Sequence, residues 1–204
     1  MSTRPPWPPS PPLSDLRAPD MHRRELLTLL TAHQTRFMEE QAYRRKAVAY
    51  IRTHENVFDR SLLSGHVTGS AWVVNPRRDH VLLLHHKKLD QWFQPGGHAD
   101  GDADIRRVCL KETAEETGIE PGRIRMVSPA VFDLDIHTVP TRGTEPRHEH
   151  IDVRFLLEID DHIPMPGNDE SHEILWAPLH QACRYNRNLS THRMIEKTRR
   201  MRRR

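Results

Sequence analysis

Residues 96–119 constrain the fold more than any other part of the chain, and they read GGHADGDADIRRVCLKETAEETGI. Two glycines open the segment, where the chain must turn. Asp102 or Asp104 then offers a helix N-cap, and Gly118 is the glycine expected at a helix C-terminus. On the helix between them, Ile105, Val108 and Cys109 form an apolar stripe. Glu112, Glu115 and Glu116 continue that stripe one turn later. At positions i, i+3 and i+4 the three carboxylates share a face, within about 100° of arc. A helix buried along its whole length cannot hold three unpaired carboxylates, and a helix exposed on that face has no need of its apolar start. A cleft at the edge of the core, filled by a cation, satisfies both demands. All-oxygen donors favour a hard ion, Mg²⁺ or Mn²⁺, over zinc. Such an ion shares its shell with substrate phosphate and polarises bound water.

The rest of the chain surrounds this helix with strands. HVTGSAWVV (66–74) and VLLLHH (81–86) read as a strand pair joined by the turn NPRRD, and residues 92–95 as a short extended piece. Further strands are expected within 124–139, with a break, at 151–159 and at 173–177. Pro178 opens a last helical region. Strand, helix, strand, strand in this order indicates a mixed sheet with helices packed on it. Upstream, Leu26, Leu27, Leu29, Leu30, Phe37 and Met38 mark a helical extension over 20–58, with Asp20 as its N-cap. This extension is long enough to cover the main domain or a second subunit, so a homodimer is one arrangement open to the chain. Residues 5–12 are mostly proline and are expected to form an extended leader within 1–19.

Charge and cysteine content narrow the function classes. The formal net charge is +3, but residues 193–204 carry seven Lys/Arg and one Glu, so the rest of the chain is net acidic. The basic segment 191–204 could touch RNA or anionic lipid, yet it reads more simply as a frayed, solvated helix end. Nucleic acid is therefore not the expected partner. No apolar run approaches the roughly 20 residues that span a membrane, and the first residues lack the apolar core of a signal peptide. A cytoplasmic location follows as the default expectation. The two cysteines, Cys109 and Cys183, make no disulfide framework.

The glycine-to-glutamate segment resembles the Nudix box, G-x5-E-x7-R-E-U-x-E-E-x-G-U, in which U is a bulky aliphatic residue. Gly97, Glu112, Glu115, Glu116, Gly118 and Ile119 match in register. WFQPGGH before the box and ESHEILWAPL (170–179) after it extend the likeness to about residues 66–185. The resemblance implies an α/β fold, the Nudix-type α/β/α sandwich with a mixed β-sheet, here over 60–190. It also implies a metal-dependent hydrolase cleaving a diphosphate linkage in a nucleoside diphosphate derivative. By resemblance, Glu115 and Glu116 are metal ligands. Glu112 is a ligand or the group that orients or deprotonates water, and Lys111 steadies it. Gly97 offers a backbone carbonyl to the metal, and Glu170 a further ligand or base. Three positions depart from the pattern: Ala103 stands for the first glutamate, Lys111 for the arginine and Thr113 for the aliphatic residue. Lysine keeps the charge but loses the two-pronged grip of a guanidinium on a carboxylate. These departures support an alternative, a Nudix-fold nucleotide-binding or sensing module without turnover.

Fifteen histidines are many for 204 residues. His66 begins a strand, His98 follows Gly97, and RHEHID supplies His148, Glu149, His150 and Asp152. Isopentenyl-diphosphate isomerases, which share the fold, hold a metal with histidines from comparable places. Their cysteine near the box entrance is missing from QPGGH, which disfavours an isomerase. One reading is that His66, His98 and the RHEHID group converge on a second metal; the simpler expectation is that these histidines line a phosphate or substrate pocket, or hydrogen-bond within it.

Overall fold

The structure, a computed structural model, describes residues 18–143 and 146–202. The proline-rich leader at 5–12 lies outside the described residues. Two helices come first, α1 (Ala18–Ala32) and α2 (Met38–Thr53). α1 starts two residues before Asp20, so Asp20 sits in its first turn rather than at the cap. Eight strands and two more helices follow: β1 (Gly65–Val74), β2 (His80–His86), β3 (Gln91–Phe93), β4 (Gly96–His98), α3 (Ile105–Thr117), β5 (Arg125–Met126), β6 (Asp133–Val139), β7 (His148–Glu158), β8 (Ser171–Pro178) and α4 (Leu189–Arg202).

β1 and β7 form the parallel centre of one mixed sheet, in the register Gly65↔Glu149 to Val74↔Glu158. Every residue of β1 is buried, as expected of a strand covered on both faces. β2 and β4 pair antiparallel with β1, β3 and β8 with β2, and β5 and β6 with β7. The residues after Phe93 do not simply turn, as the glycine pair suggested. Gly96 and Gly97 run extended along β1 opposite Ser70 and Gly69 before the chain enters α3. β7 also starts earlier than expected, because His148, Glu149 and His150 are already paired to β6 and β1.

Alternation along the strands builds two cores. Val67, Ala71, Val73, Val153 and Phe155 face α3 and the helical extension, where they meet Val108, Cys109, Leu26, Leu30, Ala47 and Ile51. Trp72, Val74, Leu83 and Leu156 face α4, where they meet Met194 and Ile195. The result is the expected α/β/α sandwich. The extension packs on its own domain: Lys46 pairs with Glu149 at 2.6 Å, and the Leu134 N–H donates to Glu40 at 3.0 Å.

The first part of the basic C-terminal segment is a correction. Residues 193–198 are packed rather than solvated, with Arg193 4% exposed and Thr198 fully buried, whereas Arg199 and Arg200 are exposed as expected. Arg193 donates to Asp133 at 2.8 and 2.9 Å, and Lys197 donates to both Glu40 (2.6 Å) and Asp133 (2.7 Å). Trp72 donates its indole N–H to Thr198 at 2.9 Å. Two charges that composition places in a solvated tail, Arg193 and Lys197, are partners for acids buried on β6 and α2.

Candidate functional site

The site is built where β4 passes the second half of α3. Asp104 caps α3 by accepting from the Arg107 N–H, and Gly118 closes it at φ 71°. A side chain at Gly118 would also meet Pro166 at 2.5 Å. Gly97 is required for a different reason: a Cβ there would lie 2.3 Å from Glu112 Oε2. The glycine backbone therefore lies directly against the Glu112 carboxylate. The Gly96 N–H donates to Glu116 Oε2 at 2.9 Å. Both carboxylates are fixed against the same short strand.

The three glutamates do not share one environment. Glu116 is 9% exposed, Glu112 half-buried and Glu115 exposed at the rim. Burial is the main reason that the Glu116 carboxyl is pushed up to about 8, with Glu112, Glu170 and Glu115 adding repulsion and the Gly96 N–H opposing it. Burial also raises Glu112, with Lys111 opposing the shift and Glu115 reinforcing it. Lys111 reaches Glu112 and Glu115 at 3.6 Å each but stays largely exposed. A buried acid beside further carboxylates is a place where a cation is favoured. Glu170 sits on the turn before β8, anchored by Glu170 N–H to Asn168 Oδ1 at 3.0 Å, and is close enough for its charge to act on Glu116. The donor set therefore fits a hard divalent ion: oxygen atoms only, partly desolvated, beside an unobstructed backbone.

The three departures from the box are accommodated. Ala103 is 7% exposed and packs in a seam shared by Leu26, Leu29 and Phe155 with the polar side chains of His22, Glu25 and Arg106. Asp102 instead pairs with Arg107 at 2.5 and 2.6 Å and accepts from the Asp104 N–H. Thr113 is fully buried, and its hydroxyl donates to the Cys109 carbonyl at 2.8 Å.

The histidines gather on the other face of the sheet from α3. His66, His150 and His137 stand in one row across β1, β7 and β6, by register. His98 joins with ring centroids 5.1 Å from His66 and 5.0 Å from His150. Glu149 pairs instead with Lys46, and Asp152 accepts from Thr68, Ser70 and Arg154 while its charge acts on His150 and His137. His137 was not singled out from the sequence, although Asp133, Asp135 and His137 alternate along β6 opposite Arg154, Asp152 and His150. An open cleft between α4 and the α1–α2 connection, lined by Phe37, Phe132 and Met201, contains none of these residues.

The chain is thus an α/β/α sandwich with a carboxylate cleft beside the bare backbone of β4. The profile of the NUDIX domain matches residues 65–198, and the chain belongs to that family. A probable DHNTP pyrophosphohydrolase of Lactococcus lactis is 25% identical over 87 residues, 42% of this chain and 50% of that protein. The mouse asymmetrical bis(5'-nucleosyl)-tetraphosphatase is 26% identical over 110 residues, 53% of this chain and 70% of that protein. The chain thus spans about half the length of the bacterial relative. Among solved structures, the E. coli dihydroneopterin triphosphate pyrophosphohydrolase superposes with a TM-score of 0.53 at 14% identity, over 64% of this chain and 92% of that one. The C. elegans Ap4A hydrolase gives 0.50 at 15% identity, over 66% and 96%. These likenesses carry the fold.

Proposed function

We propose that the chain is a metal-dependent hydrolase that cleaves a diphosphate linkage in a nucleoside diphosphate derivative. The observation that carries this reading is Glu116, a desolvated carboxylate held by the Gly96 N–H beside Glu112 and the bare backbone of Gly97. Glu116, Glu112 and the rim residue Glu115 would hold Mg²⁺ or Mn²⁺, with the Gly97 carbonyl as a further donor. When bound, that ion supplies phosphate charge neutralisation and polarisation of water. Glu112 orients the attacking water and accepts its proton. Lys111 holds the Glu112 and Glu115 carboxylates in place, and Glu170 adds a carboxylate from the facing turn. Positioning and charge neutralisation supply most of the rate. The names of the matched relatives, a DHNTP pyrophosphohydrolase and a dinucleoside tetraphosphatase, support a substrate with a nucleotide-like phosphate chain.

The test is a panel of diphosphate and polyphosphate nucleotides incubated with Mg²⁺ or Mn²⁺ and scored by product identity. A second reading, a nucleotide-binding module without turnover, is favoured by Ala103 and Lys111. It requires saturable nucleotide binding and no cleaved product across that panel.

A further inference from the structure

The histidine cluster is a second chemical centre that the hydrolysis does not use. His66, His148 and His150 each place a ring nitrogen so that all three atoms lie within 4.8 Å of one another. The His66 ring centre is 4.9 Å from that of His148 and 4.8 Å from that of His150. His66 is 2% exposed, and neither of its ring nitrogens has a hydrogen-bond partner. The Leu62 carbonyl acts on this ring electrostatically, but its geometry falls short of a hydrogen bond. A purely hydrogen-bonded cluster would have to give the His66 N–H an acceptor, and it does not.

The tautomer of His148 points the same way. Its Nδ1 lies 2.9 Å from the Pro146 carbonyl, which can only accept, so Nδ1 carries the proton. Nε2 then presents a lone pair, and it faces His150 Nε2 at 3.1 Å. A carbonyl on the far nitrogen is the usual device that orients a metal-ligating imidazole. Two imidazole nitrogens on one tetrahedral ion, with bonds of about 2.0–2.1 Å, sit roughly 3.3 Å apart. Burial and the neighbouring rings hold His66 and His150 well below the usual imidazole range, so both are neutral and able to ligate at pH 7.

We propose that His66, His148 and His150 form a site for a divalent transition-metal ion of the imidazole-preferring class, Zn²⁺ foremost, separate from the carboxylates of α3. Half-exposed His150 leaves a route for the ion to enter. The two sites sort metals by donor chemistry, nitrogen on one face of the sheet and oxygen at the other.

The test uses tag-free full-length protein stripped of metal and offered Zn²⁺ in an excess of Mg²⁺. One Zn²⁺ per chain should be retained, and Co²⁺ in its place should give the intense visible absorption of a four-coordinate site. His66→Asn and His148→Asn should each weaken Zn²⁺ binding at least about 100-fold, beyond the 10–100-fold carried by outer-shell partners. Zn²⁺ binding should survive in Glu112→Gln/Glu116→Gln. Should a histidine variant fail to fold, wild type decides: nitrogen-15 imidazole resonances of the three histidines should shift on Zn²⁺ addition. Zn²⁺ bound equally by the histidine variants, lost in the glutamate variant, or leaving those resonances unmoved overturns the site.

Discussion

Replacing Glu40 with glutamine should cost about 3 kcal/mol of stability at neutral pH, although Glu40 lies far from the box in sequence. Glu40 is fully buried and ties three parts of the chain together. Its Oε1 accepts from the Leu134 N–H (3.0 Å) and Lys197 (2.6 Å) and lies 2.8 Å from His33 Nε2, while Thr35 donates to Oε2. Burial alone would raise its pKa, but the hydrogen bonds and charge of His33 and Lys197 outweigh it and bring the value from 4.5 to about 2. At about 1.4 kcal/mol per tenfold in proton affinity, that difference is worth about 3 kcal/mol at pH 7. Removing one partner of a buried ion pair costs about 3–5 kcal/mol by comparison, and Lys197 retains Asp133, which favours the lower end. The sign follows from the lowered pKa. The unfolded chain takes up the proton first on acidification, so this stability is present above pH 4.5 and is lost as pH falls through about 2. Urea unfolding followed by tryptophan fluorescence, with buried Trp72 as reporter, should show the wild-type advantage shrinking across that window. A difference below about 1 kcal/mol at pH 7, or one that stays constant down to pH 3, would refute the reasoning.

Glu116→Gln should cut hydrolysis by orders of magnitude, and in EDTA at pH 8 it should raise the thermal midpoint, because it removes a desolvated charge. The raised Glu116 pKa gives metal-free wild type stability that is full below pH 4.5 and lost as pH rises through about 8; calorimetry in EDTA that shows no such fall contradicts it. Gly97→Ala should displace the Glu112 carboxylate by about 1 Å and lower kcat on the order of 100-fold, with an unchanged circular dichroism spectrum. Lys111→Arg should preserve or raise turnover, since a guanidinium can grip Glu112 and Glu115 with two prongs; a loss of activity would show that the ammonium has a role of its own.

The box was legible because its chemistry is local. Asp104, Gly118 and the apolar stripe fix one helix, and the helix fixes where its carboxylates point. Glu115 shows the limit of a wheel: equal spacing placed it with Glu112 and Glu116, yet the sheet covers only part of that face and leaves Glu115 outside. Gly96 and Gly97 read as a turn because their pairing partner, Ser70 and Gly69, lies far back in the chain. Arg193 and Lys197 read as a tail because Glu40 and Asp133, which bury them, are at least 153 and 60 residues away. His66, His98, His148 and His150 could be named from sequence, but only strand register brings their rings together and adds His137.

The central claim is that a divalent ion in the α3 carboxylate cleft drives attack of water on a phosphate chain. The direct measurement is the hydrolysis of a nucleoside diphosphate derivative in heavy-oxygen water, with products resolved by mass spectrometry, for wild type and Glu116→Gln. The account predicts a phosphorylated product carrying the heavy oxygen, formed with Mg²⁺ or Mn²⁺, suppressed by EDTA and nearly absent in the variant. Labelled product formed at the wild-type rate by Glu116→Gln, or formed undiminished in EDTA, would contradict it.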